Sequence, residues 1–296
     1  MKNISDEFYP VAMTIAGSDS GGGAGIQADL RTFSAAGIYG CSVITAVTAQ
    51  NPRQVSGCEV MPPDLIKAQY NAIVSSMAVR AAKTGMLGNG AAVRILIRCL
   101  ENKSFPLIVD PVMIASSGAK LLDAEGMEIV KNEFLHLADM VTPNLPEAEW
   151  LLGRKLRDQN DYVQGASELA ERYKCGVLLK TGHAPGPSDL IADVAVIDNK
   201  TMLLTSPRVT DLEEYAAHGT GCTLSSAITA MLARGEKWRD ALLGAKSFVY
   251  GSLCEVAHVG KKLDCMYPPL DDYSGQVGLK NLTPGKKNVS GTRRQK

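Results

Sequence analysis

The apolar positions of the chain recur in two alternating rhythms. Short apolar or β-branched runs, such as "VAMTIAG" from Val11 and "PLIVDPV" from Pro106, are bounded by glycine or proline and are too short for helices. They suit buried strands. The same signature marks "CSVITAVTAQ", "AAKTGML", "DMVTPN" and "GVLLKTG". Between these runs the apolar positions fall three or four apart. "GIQADLRTFSAAG" places Ile26, Leu30 and Phe33 on one helical face and stops at Gly37. "PPDLIKAQYNAIVSSM" opens on prolines and Asp64, a good helix start, and continues with Leu65, Ile66, Tyr70 and Ile73. "AAVRILIRCL", "DAEGMEIVKNEFLHLA", "LPEAEWLLG" and "GASELAERYKC" are further helices. A hairpin follows, "DVAVID" then "TMLLTS", with its turn near Asn199-Lys200. Two helices close the pattern, "GCTLSSAITAMLARG" and "WRDALLGAKSFVYGSLCEVA".

Strand followed by helix, repeated, predicts an α/β fold whose central sheet is mostly parallel and covered on both faces. The pattern contains no internal linker, so one domain is expected over residues 11–270, after a short lead over 1–10. The end of the chain, 271–296, is polar and rich in Gly, Asn and Lys, and is expected to be a flexible basic tail.

Composition narrows the functional classes. Lys+Arg and Asp+Glu are both 31, so the net charge is near zero and no global field favours nucleic acid or a membrane. Seven scattered cysteines include no Cys-x-x-Cys pair. That argues against a disulfide framework or a structural zinc site, and for a reducing, cytoplasmic setting. The first ten residues, "MKNISDEFYP", carry acidic groups and no apolar stretch, so no signal peptide is expected. No apolar run is long enough to span a bilayer.

In open parallel sheets, ligands bind beyond the carboxyl ends of the strands. The polar residues at the predicted strand exits therefore carry the chemistry. They are the "AGSDSGGGAG" loop, Gln50, "KTGML", Asp110, Asn144 with Glu147, and Lys180 followed by His183. Each alone has a structural reading: Asp110 before Pro111 as a turn residue, Glu147 as a first-turn carboxylate favoured by the helix dipole. Together they put carboxylates, an amide and an ammonium on one rim, which suits a magnesium–phosphate site. Neither G-x-x-x-x-G-K-[ST] nor a complete G-x-G-x-x-G is present, which disfavours a Walker-type NTPase and a nicotinamide enzyme. "HGTGC" sets Gly219, Thr220 and Gly221 at a helix start, where backbone N–H groups form an anion hole. Cys222 on that first turn is expected to have a lowered thiol pKa and to accept a proton from an attacking hydroxyl. A small buried hydrophobe is the other reading of that cysteine.

These motifs together, "TIAGSDSGGGAGIQADLRTFSAAGIYGCSVITAVTAQN", "KTGML", "VDPVM", "TPNLPEAE", "LLKTGH" and "HGTGCTLSSAI", resemble the ribokinase superfamily. Within it they resemble the hydroxymethylpyrimidine/phosphomethylpyrimidine kinases of thiamin biosynthesis. The resemblance runs from about Val11 to about Leu253. It implies a ribokinase-like three-layer α/β/α sandwich and a homodimer. It implies ATP- and Mg²⁺-dependent phosphorylation of 4-amino-5-hydroxymethyl-2-methylpyrimidine, and of its monophosphate to the diphosphate. By resemblance, Gln50, Gly17, Asp29, Met86 and Val112 form the substrate pocket. Asp110 and Glu147 match the metal and phosphate region, Asn144, Lys180 and Thr220 the nucleotide contacts, and Gly219, Gly221, Cys222 and Lys180 the catalytic set. One departure stands out: the family usually has Asp or Asn and then Thr before "HGTGC", where this chain has Ala216 and Ala217. Glu213, Glu214 and Tyr215 are the nearby residues able to substitute. A pyridoxal or pyridoxine kinase, and a non-catalytic pyrimidine-binding regulatory protein, are the alternative functions.

Overall fold

The computed structural model describes residues 9–113, 121–182, 189–213 and 215–282. His183, Glu214 and 283–296, the greater part of the expected tail, lie outside the described residues. The parallel centre of the sheet is built from β1 (Val11–Asp19), β2 (Tyr39–Asn51), β4 (Val79–Thr84), β5 (Leu107–Val109), β6 (Met140–Val141) and β7 (Gly176–Leu179). Antiparallel strands extend both edges: β3 (Gln54–Val60) beside β2, and β8 (Leu190–Ile197) and β9 (Lys200–Pro207) beyond β7. A further strand, β12 (Gly278–Asn281), pairs with β9. The order is β12-β9-β8-β7-β6-β5-β4-β1-β2-β3, while β10 (Ala257–Gly260) and β11 (Leu263–Cys265) form a separate hairpin.

Helices cover both faces. On one side, α2 (Pro63–Val74), α3 (Gly90–Leu100), α4 (Ala124–Asn132), α5 (Leu145–Leu152) and α6 (Gln159–Tyr173) bury Ile66, Leu96, Ile129, Leu151 and Leu169 against Leu107, Val109, Val177 and Leu179. On the other, α1 (Gly25–Ala35), α7 (Thr220–Ala233) and α8 (Trp238–Cys254) pack Phe33, Ile228 and Leu242 in a layer that takes Ile108, Met140 and Leu178. Alternate residues of one short strand thus enter opposite cores. That is why these runs read as continuously apolar. The result is the three-layer α/β/α sandwich.

Three differences from the sequence reading have local causes. Strand β3 is exposed along most of its length and carries no apolar run, so periodicity did not reveal it. The hairpin turn sits at Asp198-Asn199, both at positive φ (49° and 59°), one residue earlier than expected, as a two-residue turn between twisted strands requires. Helix α8 stops at Cys254, and the chain stays ordered into β12, inside the stretch expected to be tail. β12 is recruited by the open edge of β9, a pairing set by tertiary contact and not by local propensity.

Strand order reverses between β1 and β4. The crevice at this switch point is where a doubly wound sheet takes a ligand. The Gly17 N–H donates to the Met86 carbonyl across it (3.1 Å). A β-carbon at Gly17 would lie 2.9 Å from Met86 Sδ, so any larger residue there would have to displace the Met86 side chain.

Candidate active site

A cleft of about 360 Å³ opens along the carboxyl ends of β1, β2, β4, β5, β6 and β7 and under the start of α7. Gly17, Gln50, Met86 and Val112 line one end; Asp110, Asn144, Glu147, Lys180, Thr220, Gly221 and Cys222 line the middle. The far end has apolar walls of Ile191, Val209, Leu212, Leu224, Val249 and Leu253. Of the substrate, nucleotide, metal and catalytic residues that the resemblance implied, all but one border this cleft.

The exception is Asp29. It is fully buried on α1 and lies outside the cleft lining. Its Oδ1 accepts from Lys83 Nζ (2.9 Å) and Ser226 Oγ (2.6 Å), and its Oδ2 from Thr14 Oγ1 (2.6 Å). The expected substrate role is corrected: three protein donors already occupy this carboxylate. Its helix turns it towards β1 and β4 instead of towards the rim.

The start of α7 is shaped by Gly219, at φ 88°. A β-carbon there would stand 1.9 Å from the Gly23 carbonyl oxygen, so no side chain fits between α7 and the loop after β1. The Thr223 N–H makes the first helical bond, to Gly219 O (2.9 Å). The N–H groups of Gly221 and Cys222 precede it and point out of the helix end. A β-carbon at Gly221 would meet Lys180 Nζ at 3.3 Å and Asp110 Oδ2 at 3.5 Å. Helix N-terminus, ammonium and carboxylate therefore converge within one side-chain diameter. Such a place holds a transferring phosphoryl group by positioning and electrostatics.

Asp110 Oδ1 accepts from Lys180 Nζ (2.7 Å) and from Thr142 Oγ1 (3.3 Å). Burial opposes the Lys180 charge, but Asp110 and Glu147 outweigh it and raise its pKa, so it stays an ammonium. Glu147 and Asn144 form a reciprocal cap on α5: Glu147 Oε2 accepts the Asn144 N–H (2.8 Å), and Asn144 Oδ1 accepts the Glu147 N–H (2.9 Å). Burial, with the Asp110 carboxylate adding, pushes Glu147 up to about 7 against the pull of Lys180 and the backbone N–H groups. Two carboxylates under mutual repulsion beside one ammonium fit a divalent cation held partly by water. Among the described residues no cluster of three or more His, Cys, Asp or Glu side chains is suited to a metal.

The Cys222 thiol departs from expectation. It is pushed up to about 11: burial is the main cause, Asp29 and Asp110 add, and Lys83 and the Gly25 N–H offset only part. The expected lowering is corrected, and Cys222 is a neutral thiol at pH 7. The glycine turn alone suggested a thiolate; the burial that folding imposes reverses the sign, with the nearby carboxylates adding to it.

Several residues went unnoticed in the sequence. Asp19 accepts from the N–H groups of Gly21 and Ala24 (2.9 and 2.8 Å) and lies 3.4 Å from His218 Nε2. Burial acts to raise its pKa, but His218 and the two N–H groups hold it below the usual range. This clasp joins the β1–α1 loop to the turn before α7. Lys246 on α8 pairs with Asp193 (2.6 Å), which also accepts the Thr181 N–H (2.7 Å) beside Lys180. The signal was present: Lys83 and Asp193 are charges inside buried strands, which fold only when partnered. Of the departing pair, Ala216 is fully buried and Ala217 borders the cleft. Tyr215 packs over Arg53 (5.8 Å to the ring centre), and Glu213 is exposed.

Comparison with known proteins places the chain among relatives. A family model described as phosphomethylpyrimidine kinase matches residues 19–266. A hydroxymethylpyrimidine/phosphomethylpyrimidine kinase from Haemophilus influenzae is 41% identical over 252 residues, spanning 84% of this chain and 93% of the relative. The crystal structure of phosphomethylpyrimidine kinase from Clostridium difficile 630 superposes with TM-score 0.71 at 39% identity, covering 81% of this chain and 97% of that one. Staphylococcus aureus pyridoxal kinase in complex with AMP-PCP gives TM-score 0.81 at 28% identity, covering 93% and 100%. No helix among the described residues is long and apolar enough to cross a membrane.

Proposed function

The chain belongs to the phosphomethylpyrimidine kinase family, and we propose that it transfers the terminal phosphoryl group of ATP to 4-amino-5-hydroxymethyl-2-methylpyrimidine and then to the resulting monophosphate, in thiamin biosynthesis. The observation that carries this reading is the convergence of the α7 N-terminus with Lys180 and Asp110 in a cleft whose other end holds Gln50. An amide supplies donor and acceptor together, as an aminopyrimidine edge requires. Gly17, Met86 and Val112 form the walls beside it. The apolar far end suits the base of the nucleotide, with Asn144 and Thr220 between base and phosphates.

Asp110 and Glu147 would hold Mg²⁺, directly or through water, and the bound ion would neutralise phosphate charge. The N–H groups of Gly221 and Cys222 and the Lys180 ammonium orient the phosphoryl oxygens. The loose transition state makes little demand for a strong base, so the hydroxyl proton passes to a phosphoryl oxygen or to solvent as the O–P bond forms; a neutral Cys222 thiol lines the place of the acceptor oxygen and is not the proton acceptor expected from the sequence. Seven free cysteines support a cytoplasmic setting. The family resemblance supports a homodimer, which sedimentation would read.

Product analysis with the hydroxymethylpyrimidine, ATP and Mg²⁺, resolving mono- from diphosphate, tests the function. The expected outcome is both products in sequence. The overall likeness to the Staphylococcus aureus pyridoxal kinase favours a second reading, phosphorylation of pyridoxal or pyridoxine. Turnover of pyridoxine alone would sink the first reading in favour of this one. Pyrimidine binding without ATP consumption would instead establish a regulatory protein.

A further inference from the structure

We propose that Asp29 and Lys83 are positioning residues of the phosphoryl-transfer site: their buried ion pair grips α7 through Ser226 and so fixes the helix start that carries Gly221 and Cys222. The proposal rests on the kinase reading for its consequence, not for its geometry. Four side chains from four elements meet: Thr14 of β1, Asp29 of α1, Lys83 of β4 and Ser226 of α7. All four have 0% exposure. Asp29 is the hub, with Lys83 and Ser226 on one oxygen and Thr14 on the other.

Stability does not explain such a hub. A buried ion pair stabilises a fold no better than well-packed apolar residues of similar volume. Location does explain it. Ser226 follows Cys222 by four residues on α7 and so lies on the same helix face, one turn on. The hydroxyl that reaches Asp29 therefore sets the rotation and depth of the turn that presents Cys222. Apolar contacts along α7 allow sliding; a 2.6 Å bond to a fixed carboxylate does not. Lys83 is placed to act from below. A β-carbon at Gly85, which lines the cleft, would stand 3.6 Å from its Nζ. Its charge also reaches Asp110, which, after Asp29, holds the ammonium in its charged form against burial.

Ser226→Ala is the informative variant, because it keeps both charges and removes only the grip on the helix. Its kcat should fall about tenfold while KM for pyrimidine and for ATP stays within about twofold, since a small misplacement of the reacting group acts on turnover and not on binding. Alkylation of Cys222 by iodoacetamide, followed on its own peptide by mass spectrometry, should change rate in the same variant under native conditions. Asp29→Asn should reproduce both effects. If it fails to fold, Ser226→Ala still decides. Unchanged kcat and unchanged alkylation in Ser226→Ala would overturn the proposal, as would a loss of kcat that only tracks the folded fraction. Should the wild-type chain not phosphorylate the pyrimidine, the functional reading fails, and the alkylation rate alone then decides whether the hub sets the helix start.

Discussion

Asp110–Lys180 and Asp29–Lys83 are chemically the same pair at nearly the same distance, 2.7 and 2.9 Å, yet only the first faces the cleft. The difference lies in what remains unoccupied. Asp29 and Lys83 are both sealed, and both Asp29 oxygens already hold protein donors. In Asp110 both contacts fall on Oδ1, while Oδ2 faces the start of α7 across Gly221. The Lys180 side chain keeps 16% of its surface exposed. A pair saturated by its own fold can only hold structure; a pair with a free oxygen and an accessible ammonium can meet a ligand.

That contrast can be broken by experiment. Lys83→Met leaves the Asp29 charge buried without its cation and should destabilise the fold by about 3–5 kcal/mol in urea unfolding. Lys180→Met should lose only about 1–3 kcal/mol, because Lys180 lies at the cleft and its removal opens Asp110 to water. Equal losses would erase the distinction. Asp110→Asn should lower kcat by about 10²–10³-fold, because it weakens the hold on the cation and on Lys180, the charges that meet the transition state. Asp29→Asn should lower it only about tenfold, because it acts through α7. Steady-state kinetics separates the two, and a reversed order would move the chemistry to the sealed pair.

Gln50→Ala should raise KM for the pyrimidine about tenfold with kcat nearly kept, the mark of a lost binding contact. Equal binding by the variant would remove Gln50 from the pocket. The smallest effects concern Cys222, which lies between the two pairs. With a pKa of about 11, its alkylation rate should keep climbing as pH rises from 7 to 10, since the thiolate fraction grows throughout that range. Lys83→Met should slow alkylation at fixed pH by removing the cation that lowers the pKa. Asp110→Asn should speed it by removing an anion that raises it. A plateau near the pH of an ordinary thiol titration would show that neither burial nor the carboxylates raise the Cys222 pKa.

Much of the fold was legible along the chain, because strands such as β1, β5 and β7 bury both faces and so had to be largely apolar. The helices stated their own limits: Gly37 ends the first, and Asn144 with Glu147 caps α5 as its residue types demand. β3, β10, β11 and β12 left no such trace, being exposed or short, and only the sheet edges and loops they meet give them a reason to form. In the cleft, the glycine turn before α7 and the polar strand exits were determined by local sequence, since a helix start and a strand end create their own unpaired groups wherever they occur. Which carboxylate faces the ligand, and which way the Cys222 pKa moves, were decided by tertiary structure alone. Both depend on charges that are far apart in sequence and come within a few ångströms only when α1, β4, β5 and α7 pack together. At that range burial and Coulomb interaction outweigh what any residue prefers by itself.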